Sequence, residues 1–213
     1  TMGYGQTYIH GEPVSKDVFG TLQTDYTKTV YYNTYDVTSL LRRGNNAIAS
    51  VLGNGYVLGF NSGCTSYGLP RLKAQLVVET NRDTITYVTG TDWKVTTEGP
   101  IQRNNLWNGE RYEAARDMKN WQMPFFDDSA WKQADKMQNP TGVVCPQPCN
   151  GMRIQKELSP KSIRRTDDGR IIIDMGQNMV GQVSVRLAGK KGTPVVIRHA
   201  EMLEPNDSNR IFV

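Results

Sequence analysis

The sequence predicts an all-β protein of sandwich or jelly-roll type, and three observations carry that expectation. Short segments alternate apolar and polar residues, they are enriched in β-branched and aromatic residues, and Gly, Asn or Asp punctuate their ends. Alternation with a period of two sends successive side chains to opposite faces, so one face can enter a core while the other meets water. Many short strands separated by turn signals suit a sandwich or a jelly roll.

In chain order, the strand candidates are 7–10, 28–35, 47–52, 72–79, 84–88, 93–97, 170–175, 183–187 and 194–199. The pattern is cleanest in 72–79, where Leu72, Ala74, Leu76 and Val78 share one face opposite mostly polar residues. Val183, Val185 and Leu187 alternate in the same way with Gln182, Ser184 and Arg186. Helix is scarce. Segment 36–44 offers Asp36 or Thr38 as an N-cap, Arg42 and Arg43 to complement a C-terminal dipole, and Gly44 as a stop, which is room for one turn or two.

Segment 139–151 holds three prolines, two glycines and two cysteines without periodicity, and is expected to connect two units. The first, residues 1–145, has the size of a full domain. The second, residues 146–213, has about four strand signals, and a sheet that small is marginal alone, so it is expected to be incomplete.

Composition narrows the function classes. Hydrophobic residues make up 38% and charged residues 22%, which fits a folded globular chain. No apolar run is long enough to cross a membrane as a helix, and the first residues carry no signal-peptide pattern. The 25 basic and 21 acidic residues are mixed along the chain, as at Arg164-Arg165 followed by Asp167-Asp168. Such mixing reads as a solvated surface and excludes a phosphate-binding stripe, so neither nucleic acid nor a membrane is an expected partner. Cys64, Cys145 and Cys149 make no disulfide framework, and only His10 and His199 could join them on a zinc ion. Cys145-Pro-Gln-Pro-Cys149 reads as a loop, with a disulfide between its ends left open.

The stretch 104–113 is the most informative for chemistry. Asn104, Asn105, Asn108 and Glu110 supply amides and a carboxylate for sugar hydroxyls, while Trp107 and Tyr112 supply aromatic faces. Asn54 and Tyr56, in Gly53-Asn54-Gly55-Tyr56, would sit at a strand end and could face that loop. A plainer reading stands beside this one: the amides satisfy the turn's own backbone, and Glu110 pairs with Arg111, Arg116 or a hydroxyl. Trp93, Trp121 and Trp131 are expected at the core and its rim. Gly176-Gln177-Asn178 reads as a turn, and His199 and Glu201 as neighbours on one strand face.

Several segments together resemble one family. Tyr35-Asp36-Val37-Thr38-Ser39-Leu40-Leu41, Gly44-Asn45-Asn46-Ala47-Ile48, Leu52-Gly53-Asn54-Gly55-Tyr56, the stretch 104–114 and Phe126-Asp127-Asp128-Ser129-Ala130-Trp131 resemble the amino-terminal β-sandwich domain of bacterial α-L-rhamnosidases. Asp174-Met175-Gly176-Gln177-Asn178-Met179-Val180-Gly181 and Arg198-His199-Ala200-Glu201 are similar to the β-domain that follows it. The resemblance runs in family order across nearly the whole chain. It implies a galactose-binding-type jelly roll followed by a smaller β-sandwich unit. It also implies a parent enzyme, an inverting glycosidase whose catalytic carboxylates lie on a later barrel domain, acting on plant-type carbohydrate containing L-rhamnose. The parent is then expected to be secreted, periplasmic or at the cell surface.

An inverting mechanism needs two carboxyl groups roughly 6.5–9.5 Å apart, with a water beside the base. Glu110 with Glu113 and Asp127 with Asp128 can be nominated, but a structural role is expected of both pairs and no catalytic residue is assigned. Asn54, Tyr56, Asn104, Asn105, Trp107, Asn108 and Glu110 remain as a candidate carbohydrate site. Some sandwich domains of the family bind rhamnose through calcium, so the resemblance makes Ca²⁺ a candidate ion near Asn54 and Asn105; no cofactor is otherwise required. Tyr56 stands where that family loop usually has tryptophan.

Overall fold

The computed structural model describes residues 1–57, 66–106 and 108–204, and the backbone of Asp207–Phe212. The chain divides into two compact units, Thr1–Arg153 and Ile154–Val213. Their regular elements are nearly all β-strands, in the all-β class the alternation predicts.

Eleven strands belong to the first unit: β1 (Tyr4–Ile9), β2 (Glu12–Pro13), β3 (Thr29–Tyr32), β4 (Ile48–Gly53), β5 (Gln75–Glu79), β6 (Thr84–Val88), β7 (Lys94–Val95), β8 (Ile101–Asn105), β9 (Gly109–Tyr112), β10 (Lys132–Gln133) and β11 (Val143–Pro146). β1 is central to an antiparallel three-stranded sheet in the order β2-β1-β4, with Tyr4 opposite Gly53 and Ile9 opposite Ile48. β5 with β6 and β8 with β9 form antiparallel hairpins, and β7 pairs with β10. β5 bears out its alternation: Leu76 and Val78 are half-buried between exposed Gln75, Val77 and Glu79.

A small core lies behind β1. Met2, Tyr26 and Val57 are buried together, with Val30 and Tyr67 packed on them. The Tyr26 ring meets Tyr67 edge-on at 5.0 Å, and its hydroxyl accepts the Gly3 N–H at 3.1 Å, so the phenol is satisfied where it is buried. Trp121 and Trp131 sit half-buried at the rim, edge-on to Tyr8 and Phe126 respectively.

Segment 139–151 carries a strand of its own: Val143–Pro146 pair in parallel with Thr29–Tyr32, so positions 145 and 146 both lie in β11. Gln147 extends that docking by accepting the Leu22 N–H at 2.7 Å and donating to the Cys149 carbonyl at 2.8 Å. Cys145 and Cys149 are free thiols. Segment 36–44 makes one 3-10 turn, Thr38–Leu40, within the one turn or two expected; its N-cap is Val37, Asp36 accepts the Thr38 N–H from just outside it, and Arg42 and Arg43 lie beyond its end.

In the second unit, β12 (Ser162–Arg165) and β13 (Ile171–Asp174) form a hairpin, and β14 (Met202–Glu204) pairs with β15 (Asp207–Phe212) through an irregular register. The β12–β13 turn is closed by Thr166, whose hydroxyl donates to Asp168, and by the Arg170–Asp168 ion pair. Gly176 takes a positive φ and its N–H binds Asp174, as a turn there requires. One expectation needs correction: 183–187 and 194–199 join no ladder, so His199 and Glu201 share no strand face.

Candidate functional site

The β8–β9 hairpin places most of the candidate polar residues. Asn104 stands directly opposite Glu110, and Asn105 opposite Gly109. Gly109 has φ +71, and a Cβ there would meet nothing within 4 Å, so the backbone turn alone calls for glycine. The Asn105 Oδ1 closes the loop by accepting from the Asn108 N–H at 3.1 Å and its Nδ2 at 3.3 Å. Across the ladder, the Asn104 Nδ2 donates to the Glu110 Oε2 at 3.0 Å.

The loop after β4 is tied to this hairpin. The Asn54 Nδ2 donates to the Asn104 carbonyl at 2.8 Å, and a Cβ on Gly53 would lie 2.9 Å from the Asn104 Oδ1. Lack of a side chain at Gly53 is what lets β8 approach so closely. Tyr56, with its ring half in solvent, donates its backbone N–H to the Gln23 Oε1 at 3.1 Å. Two buried polar atoms flank this loop without a partner among the described residues, the Asn104 Oδ1 and the Gln23 Nε2. Gln23 escaped the sequence reading because nothing local marks it; its role arises from contact across 33 residues.

The structure thus bonds Asn54 and Glu110 to Asn104, and Asn108 to the neighbouring Asn105, on one hairpin, while Tyr56 bonds Gln23 instead. Trp107 lies outside the described residues. The bonding follows the plainer pattern, in which amides close the turn and bridge two loops. Glu110 is bonded to Asn104, while Arg111 and Arg116 turn instead to Glu113 at 2.6 and 2.8 Å.

Calcium takes about six to eight oxygen ligands, and this patch offers few of them. Asn54 presents its N–H₂ to the hairpin, the Asn105 Oδ1 already accepts two N–H groups, and Glu110 is the single carboxylate. Among the described residues, no group of three or more His, Cys, Asp or Glu converges as a metal site.

Neither carboxylate pair is poised for acid–base work. The Arg116 guanidinium, followed by Arg111, holds the Glu113 carboxyl below its usual range, and Arg116 continues to Glu98 at 2.8 Å. Asp127 is likewise held down, mainly by its bonds to Ser129, and Asp128 is paired with Lys94 at 2.7 Å. A general acid needs a raised pKa, whereas every carboxyl shift resolved among the described residues is downward.

Fold and site define an all-β module of the β-sandwich class, in which Glu110, Glu113, Asp127 and Asp128 are engaged in turns and surface ion pairs. Residues 1–156 match the model of the alpha-L-rhamnosidase N-terminal domain, and residues 164–211 that of the bacterial alpha-L-rhamnosidase concanavalin-like domain. The chain belongs to the bacterial α-L-rhamnosidase family. It is 39% identical over 96% of its length to the alpha-L-rhamnosidase of Streptomyces avermitilis, and 33% identical over 96% to that of Alteromonas sp. strain LOR. Among solved structures, S. avermitilis alpha-L-rhamnosidase complexed with L-rhamnose matches 99% of the chain at a TM-score of 0.89 and 36% identity, over 21% of that structure. Alpha-L-rhamnosidase from Dictyoglumus thermophilum matches 82% of the chain at 0.76 and 35% identity, over 19% of that structure. The chain spans about a fifth of the length of the curated relatives, 20% of the S. avermitilis protein and 23% of the Alteromonas one.

Proposed function

We propose that this chain is a non-catalytic accessory part of an α-L-rhamnosidase and that it buttresses the domain that cleaves the glycosidic bond. The observation that carries this reading is the state of its sheet faces. Ile163, Ile171 and Ile173 share one face of the β12–β13 hairpin, Ile85 and Tyr87 share one face of β5–β6, and all five are open to solvent, Ile163 at 64% and Tyr87 at 57%. Apolar faces of that kind mark surfaces made to be covered. The two nominated carboxylate pairs, with Glu113 and Asp128 in ion pairs and Glu110 and Asp127 in hydrogen bonds, agree with a chain that leaves catalysis to other residues. In this reading the natural partner is the parent's catalytic domain, and the parent acts outside the cytoplasm on carbohydrate containing L-rhamnose.

The second reading is a carbohydrate-binding module on the hairpin of Asn104, Asn105 and Glu110. Exposed Asn108 and Glu110 favour it, since an amide and a carboxylate suit sugar hydroxyls. Calorimetric titration with L-rhamnose, with and without calcium, separates the two. The buttress reading expects no heat at millimolar sugar. Saturable heat abolished by Asn105→Ala and by Glu110→Ala would establish the module instead.

A further inference from the structure

Away from the hairpin, two open cavities meet on the surface of the first unit. One, of about 410 Å³, is lined by Lys119, Asn120, Met123, Phe125, Phe126 and Asp127. The other, of about 280 Å³, is lined by His10, Arg42, Arg43, Asn45, Met123, Pro124 and Phe125. Met123 and Phe125 belong to both, so the two cavities form one groove with the Phe125 ring between its halves. That ring is 88% exposed.

The groove has a firm frame. Trp121 packs edge-on against Tyr8 of β1, and successive turn bonds, Met123 N–H to Asn120 and Phe126 N–H to Met123, shape the wall. On the other side Asn46 holds the arginine turn: its Oδ1 accepts the Arg42 N–H, and its Nδ2 donates to the Arg42 and Gly44 carbonyls. Buried His10 bonds the same Asn46 oxygen at 2.8 Å. The groove's cations are unspent. Among the described residues, Arg42, Arg43 and Lys119 pair with no carboxylate, in contrast to the ion-paired Arg111, Arg116 and Arg153.

We propose that this groove binds a carboxylated saccharide, a chain of uronate residues, by stacking one pyranose ring on Phe125. A sugar ring has an apolar face that suits an exposed aromatic, and its hydroxyls suit the amides of Asn45 and Asn120. A guanidinium fork matches a carboxylate in two parallel bonds, so Arg42 and Arg43 favour a uronate over a neutral sugar. Charge also sets direction. Lys119 and Asp127 both border the half of the groove away from the arginines and offset each other, so the net positive charge lies at Arg42 and Arg43, and the ring stacked on Phe125 turns its carboxylate toward them. The proposal stands whether or not the buttress reading holds, since it uses none of the same residues.

The test is titration of the full-length protein with tetragalacturonate and, in parallel, with its methyl ester, which keeps the rings and removes the charge. Saturable binding of the acid is expected, weakened by salt, and reduced about tenfold or more by Phe125→Ala and by the double substitution Arg42→Gln with Arg43→Gln. Phe125→Tyr is expected to keep it. Equal binding of the ester, or binding unchanged in both variants, would overturn the proposal. So would no binding at millimolar acid together with a lower Tm in Phe125→Ala, because another part of the protein would then fill the groove.

Discussion

The Arg153 Nε donates to the Asp17 Oδ1 at 2.6 Å across 136 residues of sequence, and so fastens the end of the first unit to its beginning. Asp17 is almost wholly buried, with 6% of its side chain exposed, whereas Arg153 is half in solvent. An adjacent bond, Val18 N–H to the Met152 carbonyl, and the Asp17–Arg153 bridge complete the clasp. The asymmetry of burial decides which partner matters more. Arg153→Met strands a carboxylate away from water, and its expected effect is a Tm lower by about 5 °C. Asp17→Asn, which keeps a polar acceptor in place, is expected to cost less. Thermal unfolding of both variants checks the order.

Gly142 sits where the chain turns into β11. A Cβ there would lie 2.6 Å from the Tyr26 carbonyl oxygen, 2.7 Å from the Thr29 nitrogen and 2.8 Å from the Lys28 carbonyl carbon. All three are backbone atoms, so no side-chain rotation relieves the overlap. Gly142→Ala is expected to push β11 away from β3 and to cost about 1–3 kcal/mol, measured as a lower urea midpoint. Gly44→Ala provides the contrast. Nothing lies within 4 Å of its Cβ position, so only its positive φ opposes the substitution.

Asp25 gives the fold an acid sensitivity. Thr27 holds its carboxyl down to about 2 from an ordinary 3.8, through side-chain and backbone bonds, with help from the Tyr67 hydroxyl and Lys28. A carboxyl whose folded pKa is depressed stabilises the fold above its unfolded pKa, and that contribution is lost as pH falls through the folded value. Asp25→Asn should therefore be less stable than the parent at neutral pH, by a small margin because the group is exposed. The difference should vanish between about pH 4 and pH 2. Urea midpoints across that range decide it, and a gap that persists at the acid end would show that titration is not the cause.

How far the fold could be read in the sequence depended on whether a segment's partner lay nearby. Thr84–Val88 appears with its expected bounds, and Leu72, Ala74, Leu76 and Val78 are all half-buried, because a hairpin finds its neighbour within a few residues. Segments 183–187 and 194–199 carry an equally good alternation and join no ladder. Alternation specifies two faces of a strand, not a partner for its edge. β11 shows the opposite case: prolines and cysteines masked a strand that exists because Thr29–Tyr32 accepts it in parallel over more than a hundred residues. The candidate site divides in the same way. Its asparagines announce a polar loop, but only the fold shows that Asn54 spends its donor on the Asn104 carbonyl and that Gln23 reaches Tyr56.

The most direct trial is to assay this 213-residue chain, purified to constant specific activity, on an aryl α-L-rhamnoside beside the full-length protein. The account predicts turnover by the full-length protein and none by the chain, whose nominated pairs, Glu110 with Glu113 and Asp127 with Asp128, are committed to hydrogen bonds and surface ion pairs. Turnover that copurifies with the chain and is abolished by Glu110→Gln or Asp128→Asn would contradict it.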